Sequence, residues 1–368
     1  MLHRSRLDPA IFNLPVEKMR DGYYSDVYFN RAREILAADG YHPKVRMQVF
    51  QRGSSVLCGI DEALAILKLC SGLRAPDGSW QDGWDQLTVR ALYDGDAITP
   101  FETVMTIEGD YALFAHLETE YLGVLARRTR IATNAREIVA AADGKDVLFF
   151  PARFDHHLVQ TGDGYAAYIS GALGVSTDAN AEWWGSRGMG TVPHALIAAY
   201  GGDTVLATRK FAQYIDPAVN VIALVDFEND CVGTSLACAR ALGDRLWGVR
   251  LDTSGTLVDK SVIPQMGTFA PTGVNAQLVH NVRDALDAAG FGKVRIVVSG
   301  GFDAERIRRF ERDRVPADAY AVGSAFFKGQ GSFDFTADIV TVDSGSGWRE
   351  SHKVGRPERP NPRLSPVA

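Results

Sequence analysis

Ser299-Gly300-Gly301 closes the apolar run that begins at Lys293 and is followed by Asp303, a residue suited to capping the segment AERIRRFERD. Glycines there let backbone N–H groups approach an anion at a helix N-terminus, so the stretch reads as a phosphate cradle. Gly323-Ser324 closes the next apolar run, AYAVGSAFF from Ala319, about one strand–helix repeat later. Either motif alone is a turn signal, but cradles after the last two strands are the usual phosphate site of phosphate-binding barrels.

Acids stand at two other run ends. Asp226 and Glu228 close VIALVDFE, and Asp252 closes LWGVRLD before Thr253-Ser254-Gly255. Carboxylates in such places accept hydrogen bonds from sugar hydroxyls, hold Mg²⁺ together with substrate phosphates, or simply cap helices. His194 lies between Gly-Thr-Val-Pro and a helical run, and Arg153 lies in FFPARFDHH. A lone histidine is more often structural than catalytic. The doublet His156-His157 lacks the i,i+4 partner of a zinc motif. Gly162, Gly164 and Ala167 fit G-x-G-x-x-A, yet the preceding HHLVQT is a poor buried strand, which argues against a dinucleotide site. No Walker lysine and no G-x-S-x-G elbow is found.

These residues need a scaffold that brings strand ends together. Runs beginning at 221, 246, 293 and 319 are almost continuously apolar, as parallel strands covered on both faces are, and helical segments separate them. The middle interval, about twice the others, holds either two units or one with an excursion. An α/β barrel or part-barrel is the economical arrangement. Before residue 145 the texture differs. Lys44–Phe50 reads as a strand, Asp61–Leu69 as a helix, Leu87–Tyr111 as antiparallel β-structure and Ala112–Ala142 as one long or two stacked helices. Arg127, Arg128 and Arg130 are expected on a solvated helix face. The division expected is an N-terminal α/β domain, 1–145, joined by the tail 336–368, and a barrel, 146–335.

Composition narrows the classes. Of 368 residues 46% are hydrophobic and 23% charged, with net charge −6, so the chain has core-forming material and no basic footprint of a nucleic-acid binder. Four scattered cysteines form no C-x-x-C pair, and there is no run of 18 apolar residues. A cytoplasmic protein without nucleic-acid or membrane partners is expected.

Several stretches in order, YYSDVYF near Tyr24, GVLARRTRIATNA from Gly123, the Arg153 region, GTVPHAL from Gly190, GVRLDTSG from Gly248, VVSGG ending at Gly301 and AVGSAF from Ala321, resemble the nicotinate phosphoribosyltransferases and more distantly the quinolinate enzymes. The resemblance spans about 23 to 340. It implies an irregular, TIM-like, phosphoribosyl-binding α/β barrel with an N-terminal α/β sandwich domain, and a homodimer with a shared active site. It also implies transfer of phosphoribosyl from phosphoribosyl pyrophosphate to nicotinate in NAD salvage, with Mg²⁺. By the resemblance, His194 is the histidine that ATP phosphorylates, Asp252 contacts ribose and Arg153 lines the nicotinate and phosphoribosyl site. Ser299, Gly300, Gly301, Gly323 and Ser324 hold the 5′-phosphate, while Thr191 and Arg250 contact substrate. Tyr24 and Asp26 are offered across the dimer, and Asp226 and Glu228 are the metal candidates. Many relatives place a second arginine after Arg153, where this chain has Phe154. Two alternatives remain: a quinolinate enzyme on the same fold, and a non-catalytic phosphate- or nucleotide-sensing barrel.

Overall fold

Alternating apolar residues in Lys44–Gln51 and Thr103–Asp110 place one face of each strand in a core, and the two pair antiparallel. A computed structural model, describing residues 5–328 and 331–367, divides the chain into two units: Met1–Thr133 with Gly329–Ala368, and Asn134–Lys328. In the first unit six strands form one sheet in the order Trp348–Glu350, Phe335–Asp343, Lys44–Gln51, Thr103–Asp110, Thr88–Ala91, Ser365–Pro366. The tail therefore supplies three strands of the sheet. The apolar helix Ile60–Cys70 packs into the same core, where Val45, Met47 and Val49 meet Leu64, Leu67, Tyr121 and Leu125. Gly59 starts that helix at φ +95°, and Asp94 Oδ1 accepts the Ile60 N–H at 2.8 Å.

The periodic stretch after Tyr111 resolves into two 3₁₀ turns and a continuous helix, Glu118–Ala141. Arg128 corrects one expectation. It is 8% exposed, and its Nε and Nη2 donate to Glu62 at 2.9 and 3.4 Å. A charge on a helix face that turns inward needs a partner, and here the partner lies 66 positions away, beyond what local charge patterning can register.

The second unit carries a parallel sheet ordered Val221–Leu224, Leu246–Leu251, Arg295–Val298, Ala319–Val322, Asp146–Phe149, Gly174–Val175. The last two strands were not among the predicted runs. Residues 189–192 bridge the sheet's edges: Met189 N donates to Val175 O, and Val192 N to Ile222 O at 3.4 Å. An extended segment thus completes an irregular ring whose interior is filled by Leu148, Ile222, Val297, Ala319 and Ala321. The long interval after Leu251 is one unit with an excursion, since the next full helix is Ala276–Ala288. Gly162 and Gly164 lie inside the helix Gln160–Ile169, so the apparent dinucleotide motif forms no phosphate loop. Among the described residues no helix is long and apolar enough to cross a membrane.

Candidate active site

Parallel pairing aligns the strand ends that matter. Leu251 pairs with Val298, and Ser299 N continues the ladder to Leu251 O at 2.9 Å, which sets Asp252 beside Ser299. Arg250 near the end of the strand and Asp252 just past it, two apart, point to the same side. Ser299 Oγ donates to Asp252 Oδ1 at 2.7 Å, while Arg250 Nη1 lies 3.3 Å from Asp252 Oδ2 and 3.2 Å from Ser299 Oγ. One strand further, Phe150 N donates to Val322 O at 2.8 Å and sets Phe150 beside Gly323.

These ends line one cavity of about 630 Å³, within the range of small-ligand sites. Arg153, His194, Arg250, Asp252, Ser299, Gly300, Gly301, Gly323 and Ser324 all border it. Gly300 and Gly301 adopt φ of +83° and +77°, a left-handed pair that residues with a Cβ enter only at a cost. Asp303 caps the following helix by accepting the Arg306 N–H at 2.9 Å. Both cradles thus open onto the same space.

His194 begins the helix His194–Ala199, and its Nε2 is 3.0 and 3.1 Å from the Asp226 oxygens. A carboxylate accepts, so Nε2 is the nitrogen that donates to Asp226, and Nδ1 is the one turned away from it. Asp226 is mostly buried behind the histidine; burial raises its pKa, while the nearby His194 lowers it. Asp226 is therefore a partner of His194 rather than half of an acidic pair with Glu228. Glu228 borders a different cavity, beside Asp203 and Asp230. Among the described residues no three His, Cys, Asp or Glu side chains cluster as metal ligands.

Thr191 alone of the remaining candidates in this unit lies off the main cavity. Thr191 lies on the ring-completing segment and borders a neighbouring cavity of about 250 Å³, which shares Phe150 with the main one. Tyr24 and Asp26 belong to the first unit. There Asp26 Oδ2 accepts from Thr119 Oγ1 at 3.0 Å and Tyr28 Oη at 3.3 Å.

Sequence reasoning passed over Phe150 and Arg306, and saw Phe154 only as a missing arginine. Phe150 was findable, because it follows the last residue of an apolar run, but VLFF was not taken as a strand. Arg306 Nη1 holds Gly300 O at 2.9 Å and its Nη2 holds Val274 O, clamping the first cradle from outside. No linear motif announces that contact.

Residues 26–129 match the model of the quinolinate phosphoribosyl transferase N-terminal domain. A nicotinate phosphoribosyltransferase of Mycobacterium tuberculosis is 32% identical over 270 residues, 70% of this chain and 55% of that protein. The crystal structure of nicotinate-nucleotide pyrophosphorylase from Pyrococcus furiosus superposes with TM-score 0.77 at 33% identity, covering 96% of this chain and 85% of that one. The chain belongs to the nicotinate and quinolinate phosphoribosyltransferase family. Human nicotinic acid phosphoribosyltransferase, at 17% identity and TM-score 0.66, shares the fold over 91% of this chain and 77% of its own. The chain spans about half the length of the Mycobacterium relatives it matches.

Proposed function

We propose that the protein transfers the phosphoribosyl group of phosphoribosyl pyrophosphate to nicotinate, yielding nicotinate mononucleotide and pyrophosphate, a reaction of NAD salvage. The observation that carries this reading is the opening of two anion cradles, Ser299–Gly301 and Gly323-Ser324, onto one cavity that also holds Arg153, His194 and Asp252.

The chemistry suits these groups. A pyridine nitrogen attacks with its own lone pair, so no base must remove a proton. The work is positioning and charge stabilisation. The cradles hold the 5′-phosphate, remote from the breaking bond, and its binding energy orients the ribose for in-line attack. Asp252, itself held by Ser299 and Arg250, faces the cavity where ribose hydroxyls would sit. Arg153, without a hydrogen bond or ion pair among the described residues, is available to the nicotinate carboxylate. Arg250 and His194 offer donors to the departing pyrophosphate.

The donor set fits Mg²⁺, a hard cation satisfied by one carboxylate and substrate phosphates; Asp252, the carboxylate bordering the cavity, would hold it. Bound there, Mg²⁺ neutralises charge developing on pyrophosphate. His194 Nδ1, freed by the Nε2–Asp226 contact, is the nitrogen able to accept a phosphoryl group from ATP. The reading includes a homodimer, supported by the exposed aromatic side chains of Tyr23, Tyr24 and Tyr28, in which Tyr24 and Asp26 reach the partner's site.

A second reading, favoured by the match to the quinolinate N-terminal domain, takes quinolinate and releases carbon dioxide. The test supplies Mg²⁺, phosphoribosyl pyrophosphate and either acid, with and without ATP, and quantifies mononucleotide, pyrophosphate and carbon dioxide. Product from nicotinate without carbon dioxide is expected. Failure with every pyridine acid defeats the catalytic reading.

A further inference from the structure

Resting on the reading above, we infer that Phe154 makes this a one-carboxylate acceptor site, selecting planar aromatic monocarboxylates over 1,2-dicarboxylates. Three basic side chains border the cavity: Arg153, His194 and Arg250. Two already have acid partners within this unit, His194 with Asp226 at 3.0 Å and Arg250 with Asp252 at 3.3 Å. Arg153 is left with its charge uncommitted; its guanidinium carbon lies 5.7 Å from the centre of the Phe154 ring. The position beside it on the chain, where a second cation would flank an adjacent carboxylate, is occupied by that ring.

The ring edge also lies against the second cradle. A Cβ built on Gly323 would come within 2.8 Å of Phe154 Cε2, so the glycine leaves the volume that the ring edge fills. Gly323 sits at φ −113° and ψ −107°, outside the regions that residues with a Cβ favour, so its backbone and this close approach both call for glycine. Phe154 is 49% exposed, and the exposed part borders the cavity. A flat apolar acceptor ring can cover it favourably, whereas a second carboxylate pressed against it would lose water without gaining a partner.

Chemically, a nicotinate-like acid brings one charge for one arginine. A quinolinate-like acid brings a second charge into a cavity that already holds the Asp252 carboxylate, with a phenyl ring rather than a cation next to Arg153. Replacing Phe154 by arginine adds a fork-shaped donor set suited to a second carboxylate.

The experiment titrates the wild-type chain, F154R and F154L calorimetrically with nicotinate and with quinolinate, and assays each for mononucleotide formation. The expected result is wild-type binding of nicotinate at least about ten-fold tighter than quinolinate, the same order of preference in F154L with both acids bound more weakly, and quinolinate binding improved about ten-fold or more in F154R. Equal wild-type affinity for the two acids, or an F154R ratio equal to that of wild type, overturns the inference. If the affinity ratio shifts as expected but no variant makes mononucleotide, the transfer reading fails while acid selection stands. Turnover of nicotinate with an unshifted ratio refutes the role of Phe154 alone.

Discussion

Substituting Asp226 by asparagine separates a functional from a structural account of the His194 contact. The carboxylate oxygens lie 3.0 and 3.1 Å from Nε2, and the Asp226 side chain is 8% exposed against 44% for His194. Asparagine can still accept from Nε2–H, so the loss is the difference between an ionised and a neutral acceptor, about 1–2 kcal/mol. If that stabilisation is used in turnover, kcat falls about 5- to 30-fold. Stability should move the other way. Burial is the largest influence on Asp226 and raises its pKa, with His194 opposing. A carboxyl raised in the folded state contributes most below its unfolded pKa, and that contribution is lost as pH rises through the folded value. At pH 8 the ionised group is thus a net cost that asparagine removes, and Tm should be equal to or higher than wild type, with the gain shrinking at pH 5. Product formation at saturating substrate and thermal unfolding at both pH values provide the check. A Tm several degrees lower, or an unchanged kcat, would refute the reasoning.

Gly301→Ala forces a Cβ residue to φ +77°, which costs about 1–2 kcal/mol, and should weaken ribose 5-phosphate binding, measured by calorimetry, more than nicotinate binding. Glu120→Gln should stabilise the protein by about 3 kcal/mol at pH 8.5 and by little near pH 4.5, because burial pushes the unpartnered Glu120 carboxyl up to about 7; denaturant unfolding across that range tests it. Arg128→Met strands Glu62 in the core and should cost about 3–5 kcal/mol in the same assay, without a pH-dependent shift in acceptor preference.

Local chemistry made much of the second unit legible. Apolar runs ending in glycine or acid located Asp252, Ser299–Gly301 and Gly323-Ser324, because a parallel strand declares itself by composition and its carboxyl end by the glycine or acid that succeeds it. His194 was also visible as a residue, though its partner was not: Asp226 read equally well as a cap, a metal ligand or a sugar contact. Glu228, two residues away, looked like its companion, yet after the strand the chain turns and carries Glu228 to another cavity. The close approach of Phe154 to Gly323 was not legible, because no sequence signal tells that a phenylalanine far upstream occupies the space of its absent Cβ.

Amino-acid type and spacing by themselves determined the parallel strands, the two glycine cradles and their order along the chain, since periodicity and backbone freedom act over a few residues. Only the folded chain decided that 189–192 bridges the sheet's edges, that Arg128 is buried against Glu62, and that Arg153 keeps an uncommitted charge beside Phe154. Those outcomes depend on pairings between distant positions, where desolvation and packing set the free energy, and neither quantity exists until the strands are side by side.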